Sequence, residues 1–304
     1  IESESDQVQI LRSTADFGDI TNGHVIFNSD NQFKISITSD SPLGKIPVML
    51  RIKSGETEEE NFQTVNDFSL SVTLNQVGFP VNTSKLRSSP LVIDINGDGN
   101  KEIIIGDQHV DGFLHIFNKD GSEISNELFP FDTSDPIWAS PFAADLDFDS
   151  KIEFGIASKS GKIFLYNHDE LIMEYNANLQ LIGTPAIGNL DSDEELEIVF
   201  SGYSSNNKLF AINKDGSDLP GFPLSIDEKV KGGISLADLN GDGKDDIIFG
   251  TDDDHIYLIY DNGDVAENFP VSAGDRIQTA PLIIPSEGTH LIIAGCTNDT
   301  LYAV

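Results

Sequence analysis

Four short turns in this chain each set carboxylate or amide side chains at their first, third, fifth and ninth places. They are Asp94, Asn96, Asp98 and Glu102; Asp145, Asp147, Asp149 and Glu153; Asn189, Asp191, Asp193 and Glu197; and Asp238, Asn240, Asp242 and Asp246. The seventh place, held by Asn100, Lys151, Glu195 and Lys244 in turn, offers a main-chain carbonyl. Hard oxygen donors packed this closely repel one another unless a cation lies among them. Six to eight oxygens at about 2.3–2.6 Å suit Ca²⁺, whereas Mg²⁺ demands a stricter octahedron. The sequence predicts up to four calcium sites, the loops at 94 and 238 following the pattern most closely.

A plainer account is that Asp-Gly and Asn-Gly turns simply close β-hairpins, with Asp present for turn propensity and solubility. Against it stands the fourfold recurrence of a carboxylate at the ninth place, where a turn has no evident use for one. An EF-hand is excluded, because the twelfth place is apolar at Ile105 and Phe249 and strands flank the loop where helices are required. Gly99 and Gly243 at the sixth place permit a positive φ. Ser150 and Glu194 stand there in the second and third loops, which are therefore expected to be weaker or distorted.

The elements that position these loops follow from a repeat. The loops recur every 44 to 51 residues, and a degenerate fifth copy carries Pro285 and Ser286 in place of ligands, so no ion is expected there. Each unit has a short apolar run, the acidic turn, a β-branched run such as EIIIG or DIIFG, and an alternating run such as KIFLYN. These are strand lengths and compositions, and no sustained apolar recurrence at helical spacing appears. Three or four short antiparallel strands per unit, stacked radially to cover their faces and edges, make an all-β fold, a β-propeller of about five four-stranded blades. A spare copy of the FP segment, GFPV from Gly78, precedes the first unit. Either residues 78–87 supply the outer strand of the fifth blade and close the ring, or the chain is part of a larger ring.

Residues 1–76 lack the repeat and alternate with period two: Phe33, Ile35 and Ile37; Val48, Leu50 and Ile52; Phe68, Leu70 and Val72. That spacing places each set on one face of a strand, while SDSPLGK and KSGETEEEN read as loops. The expected organisation is an N-terminal β-sandwich segment over 1–76, short for a complete sandwich, and a propeller over 77–304.

The loops DINGDGNKEIIIG and DLNGDGKDDIIFG resemble the FG-GAP/VCBS repeats of integrin α-subunit propellers and of many secreted bacterial proteins. The resemblance spans residues 78–304 and departs at Ser150, Glu194 and the fifth loop. It implies a calcium-binding propeller in an extracellular setting and does not specify a function. The stretch from VQILRSTADFGDI to MLRI looks like the latter half of an Ig-like sandwich beside such propellers in secreted bacterial peptidases.

Composition bounds the rest. The 51 Asp and Glu against 18 Lys and Arg give a formal net charge of −33, which repels nucleic-acid phosphates and anionic lipid surfaces. No apolar run approaches the roughly 20 residues of a membrane-spanning helix, so neither nucleic acid nor membrane insertion is expected. The start at Ile1, without a charged-then-apolar leader, fits a mature product or an excised fragment. Nucleophile-elbow, zincin, phosphate-loop and dinucleotide signatures are absent, and the six histidines show no metal-ligand spacing. No catalytic residue is assigned. Cys296 follows a β-branched run and is expected to be a buried structural thiol. The aromatics of FLHIF, IFLYN and IYLIY are expected in the core between blades, and the sequons at Asn82 and Asn298 matter only in a glycosylating pathway. The sequence thus reads as a secreted or cell-surface calcium-binding module that binds a protein or carbohydrate ligand or serves as a scaffold within a larger protein such as a protease. The alternative is a propeller-based polysaccharide lyase or hydrolase.

Overall fold

The structure, a computed structural model, describes residues 1–6, 8–17, 30–37, 43–54, 62–72, 76, 78–286 and 289–304. Two compact units divide the chain, Ile1–Gln76 and Val77–Val304. In the first, β1 (Val8–Arg12) pairs antiparallel with β2 (Lys34–Ile37), and β3 (Gly44–Ser54) with β4 (Phe62–Val72). Ile46 and Val48 are buried and stand opposite Leu70 and Phe68, so the period-two pattern does mark one face of the β3–β4 ribbon. Of the expected loops SDSPLGK and KSGETEEEN, residues 39–42 and 55–61 lie outside the described residues, while Gly44, Lys45, Lys53 and Ser54 belong to β3 and not to a loop.

The second unit is a succession of small antiparallel sheets, each built in chain order from its innermost strand outward. The first has β5 (Leu91–Ile93), β6 (Glu102–Gly106), β7 (Phe113–Phe117) and β8 (Phe131–Asp132). The second has β9 (Phe142–Ala144), β10 (Glu153–Ala157), β11 (Lys162–Tyr166) and β12 (Leu171–Asn176). The third comprises β13 (Ala186–Gly188), β14 (Glu197–Ser201), β15 (Lys208–Ile212) and β16 (Leu224–Ser225). The fourth comprises β17 (Ser235–Ala237), β18 (Asp246–Gly250), β19 (His255–Ile259) and β20 (Val271–Ser272). Among the described residues the last has three strands, β21 (Leu282–Ser286), β22 (Thr289–Gly295) and β23 (Leu301–Ala303). These are propeller blades, and among the described residues the protein is all-β.

Blades cohere through the faces they turn to each other, and four apolar clusters follow from successive pairs. Ile104, Leu114 and Ile116 of blade one meet Phe154, Ile156 and Tyr166 of blade two. Ile163 and Leu165 meet Ile198, Phe200 and Phe210; Val199, Leu209 and Ala211 meet Ile247, Phe249 and Ile259; Ile248, Ile256 and Leu258 meet Ile292 and Ala294. Of the alternating aromatic runs, Phe117, Phe164 and Tyr166 are buried, whereas Phe113, Tyr257 and Tyr260 are half-buried; other core rings stack as well, Phe154 on Tyr166 at 5.6 Å and Phe200 on Phe210 at 4.9 Å.

The sequence reading needs correction at the fifth blade. Residues 78–87 add no strand to β21–β23. Gly78 instead lies against the backbone of Asp120 and Gly121 in blade one, so closely that a Cβ has no room. Gly221 of the later PGFP segment packs in the same way on Asn262 of blade four, so each such segment seats on the β-turn of the blade that follows it. Leu282, Ile284 and Leu301 of blade five remain 59%, 39% and 71% exposed. Cys296 is half-buried, not fully buried as expected, and its thiol donates to the Asp275 carbonyl at 3.0 Å.

Phe154 is fully buried between blades one and two, whereas Phe148, six residues earlier, is 61% exposed. Phe154→Ala is expected to cost about 3–5 kcal/mol and Phe148→Ala no more than about 0.5 kcal/mol. Paired denaturant titrations check this; equal losses would contradict the inter-blade core.

Candidate metal centres

Each acidic turn joins the innermost strand of a blade to the next, linking β5 to β6, β9 to β10, β13 to β14 and β17 to β18. The ninth-place carboxylate is therefore the first residue of the second strand, in the buried middle of its blade. Glu102 and Glu153 are 2% exposed, and Glu197 and Asp246 are 0% exposed. All four make the same contact. One oxygen accepts the main-chain N–H of the second loop residue, from Ile95 at 3.1 Å, Leu146 at 2.9 Å, Leu190 at 2.6 Å and Leu239 at 2.9 Å. The turn does use this carboxylate, contrary to the sequence expectation, but with one oxygen only.

The other oxygen distinguishes the loops. Glu197 Oε1 and Asp246 Oδ1 are buried with no hydrogen-bond partner, as are Asn189 Oδ1 and Asp145 Oδ1 at the first place of their loops. An ionised carboxylate oxygen left this way forfeits its hydration without compensation. Burial accordingly pushes the Glu197 carboxyl up to about 7, the Leu190 hydrogen bond opposing and the charges of Asp191, Asp193 and Glu195 adding to the rise. Burial raises Asp246 to about 6, against hydrogen bonds from Leu239 and Asn240 and with the charges of Asp242 and Asp238.

The remaining ligand positions are set by the loop's own backbone. Asp94 accepts from Gly97 N and Gly99 N at 2.8 Å each, and Asp238 from Gly241 N at 2.7 Å and Gly243 N at 3.0 Å. Asp145 accepts from Ser150 N at 2.9 Å. The third-place side chains Asn96, Asp147, Asp191 and Asn240 each accept from the residue two ahead, as do the fifth-place Asp98, Asp149, Asp193 and Asp242. Ser150 has φ +72° against +84° for Gly99 and +91° for Gly243, so loop two keeps the backbone of loops one and four despite its serine. Glu194 has no such φ, and loop three alone takes a different path.

Carboxylate spacing also differs among the loops. Carboxylate oxygens of Asp145, Asp147 and Asp149 lie within 4.8 Å of one another, as do those of Asp191, Asp193 and Glu197. Loops two and three thus gather three carboxylates each. Loops one and four, nearer the sequence pattern, place an amide at the third position, Asn96 and Asn240. In the fifth blade Pro285 and Ser286 belong to β21 and pair with His290 and Thr289, so strand stands where the other blades have the start of an acidic loop.

One participant escaped the sequence reading. Lys214, in the turn after β15 of blade three, reaches back to loop two of blade two, its Nζ 2.6 Å from Asp147 Oδ2 and 3.1 Å from Glu153 Oε1. Hydrogen bonding to Lys214 lowers the Asp147 carboxyl from its usual range. Burial pulls the Lys214 ammonium down, but its bonds to Asp147 and Glu153 outweigh that and raise it. Neighbouring loops are also joined by backbone, Leu196 N donating to Leu146 O at 2.8 Å and Asp245 N to Asn189 O at 2.7 Å. The Asp245 carboxylate accepts in return from Asn189 N at 3.0 Å.

With this geometry in place, comparison with known proteins is informative in one respect. The family described as an FG-GAP-like repeat matches residues 189–249, from the first ligand of loop three to the second strand of blade four. No curated protein matches the chain. Similar solved structures include BBS1N in complex with ARL6DN, at 13% identity over 75% of this chain and 70% of that one, TM-score 0.48. The computationally designed Ika8 protein aligns at 16% identity over 70% of this chain and 57% of its own, TM-score 0.44. The Vibrio cholerae biofilm matrix protein Bap1 aligns at 20% identity over 60% of this chain and 39% of its own, TM-score 0.34. At that distance they add no residue-level information. The chain is a β-propeller whose third and fourth blades carry an FG-GAP-like repeat.

The raised carboxyls dictate a pH response of the metal-free protein. A carboxyl whose folded pKa lies above its unfolded value binds its proton more tightly when folded. Its contribution to stability is complete below about pH 4 and is lost as pH rises through the folded value. The melting temperature of metal-stripped protein is therefore expected to fall between pH 5 and pH 8, and Glu197→Gln to flatten that fall. A melting temperature that rises over this interval contradicts the assignment.

Proposed function

We propose that this chain is a calcium-stabilised binding module, the propeller region of a secreted or cell-surface protein, which presents its inter-strand loops to a protein or carbohydrate ligand. The observation that carries the reading is the pair of fully buried, partnerless carboxylate oxygens, Glu197 Oε1 and Asp246 Oδ1, each at the base of an acidic loop. A turn that served only to reverse the chain gains nothing from burying an ionised oxygen without a partner. A cation in the loop supplies the missing charge.

The donors would be Asp94, Asn96, Asp98 and Glu102 in loop one, Asp145, Asp147, Asp149 and Glu153 in loop two, Asn189, Asp191, Asp193 and Glu197 in loop three, and Asp238, Asn240, Asp242 and Asp246 in loop four. The carbonyls of Asn100, Lys151, Glu195 and Lys244 would complete the sets. All are hard oxygens of mixed carboxylate, amide and carbonyl type, the set that suits Ca²⁺ rather than a softer metal. Bound ions would pin the first two strands of a blade together and relieve the repulsion within each loop. The FG-GAP-like match over 189–249 supports the extracellular setting, where free calcium is plentiful. The N-terminal unit, with its long β3–β4 ribbon, is read as part of an Ig-like sandwich.

Saturation at about 100 times the dissociation constant adds roughly 2.7 kcal/mol per site. Millimolar Ca²⁺ is expected to raise the melting temperature by several degrees over chelator, with Mg²⁺ much less effective; an unchanged value overturns the calcium reading. Glycan and matrix-protein arrays probed with and without calcium test the binding role. Saturable, calcium-dependent retention is expected, and catalytic turnover of a retained glycan would replace this reading by an enzymatic one.

A further inference from the structure

The four acidic loops are alike in sequence pattern but not in electrostatic surroundings, and the difference lies in one turn position of the neighbouring blade. The turns after β7, β11, β15 and β19 place Lys119, His168, Lys214 and Asp261 at corresponding positions. Lys214 of blade three bends back to blade two and sets its ammonium on the third- and ninth-place carboxylates of loop two. The corresponding residue of blade four, beside loop three, is an acid, and Asp261 binds Lys244 at 2.8 Å instead. Lys119 of blade one bonds Asn100 of its own loop at 2.6 Å.

The consequence is visible at the ninth place. Glu153 Oε1 is partnered by Lys214, while the equivalent Glu197 Oε1 and Asp246 Oδ1 are not. The ammonium is itself largely enclosed, with 20% of the side chain exposed against 2% for Glu153. A primary ammonium and a divalent cation compete for the same carboxylate oxygens, and a fixed positive charge a few ångströms away raises the free energy of any ion entering.

We propose that Lys214 is the resident cation of loop two. It neutralises Asp147 and Glu153 without metal, so that loop two is closed by a lysine from the next blade and the chain holds one tightly bound ion fewer than its four acidic loops imply. The inference rests on the calcium reading for the other three loops. Asp145 Oδ1 stays without a partner in loop two, so the loop keeps the donors to take an ion once the lysine is gone.

The test compares the whole chain, wild type, with Lys214→Met and with Lys208→Met, an exposed lysine of β15 that controls for net charge. Native mass spectrometry at micromolar free Ca²⁺ is expected to count three ions on wild type and on Lys208→Met, and four on Lys214→Met. Calorimetric titration is expected to show the weakest class of site in wild type tightening by roughly tenfold or more in the Lys214 variant, the scale set by removing a unit charge from a partly screened site. In metal-stripped samples Lys214→Met is expected to melt several degrees below wild type and to regain the loss in calcium. Equal ion counts in wild type and Lys214→Met overturn the proposal. Zero ions on every protein overturn the calcium reading instead, and the lysine's role as counter-charge then rests on the metal-stripped pair, where an unchanged melting temperature overturns it.

Discussion

The fold depends on a carboxylate buried at the start of the second strand of four blades. Glu102, Glu153, Glu197 and Asp246 each fix the acidic loop to its strand by accepting a main-chain N–H two residues into the turn. That bond ties the start of each loop to the second strand of its blade, alongside the backbone pairing of the first and second strands. It also commits one further oxygen per blade to an interior where an uncompensated charge is costly, by several kcal/mol. The elevation of Glu197 to about 7 and Asp246 to about 6 expresses this cost. In general a proton or a cation from solution can meet such a cost; at Glu153 a lysine from the neighbouring blade does so.

The same strands that bear these carboxylates form the inter-blade cores. Residues one place along from the acid, Phe154, Ile198 and Ile247, are fully buried and lock a blade to its neighbour. Loop and core are therefore mechanically continuous, and the backbone bonds Leu196 to Leu146 and Asp245 to Asn189 extend the continuity from loop to loop. The Lys214 ammonium in loop two therefore ties together more than one turn, because adjacent turns share hydrogen bonds and adjacent second strands share side-chain contacts.

Much of this was legible in the sequence because a repeat presents the same local solution several times. The turn chemistry, the β-branched second run and the alternating third run each recur in register, and strand identity follows from local spacing alone. The positions of the acidic and amide side chains in each loop were legible for the same reason. What local spacing cannot convey is contact between repeats. Lys214 meets partners 67 and 61 residues away, and nothing in the run NKDG separates it from the same run at Asn118–Gly121. The fifth blade was ambiguous on similar grounds. One of the two readings gave the GFPV segment at 78 to that blade by motif, whereas backbone crowding between Gly78 and Asp120 seats it on the blade that follows. The glycine criterion at the sixth loop place also failed in part, because Ser150 adopts the left-handed conformation its neighbours impose, at a strain of roughly 1–2 kcal/mol.

Charge in this chain is therefore not a uniform solvated coat. The surplus of acids is partly concentrated in four loops that each lead into a buried carboxylate, and the few lysines are correspondingly consequential. One turn position, occupied by Lys214 in blade three and Asp261 in blade four, decides whether the preceding loop already contains its counter-charge. Glu153 and Glu197 occupy the same site in the same blade geometry with the same backbone bond, yet one is paired and the other is not. Whether a loop's carboxylates are balanced from within the protein is a property of loop and neighbouring turn together, because a counter-charge can be supplied covalently by the next repeat.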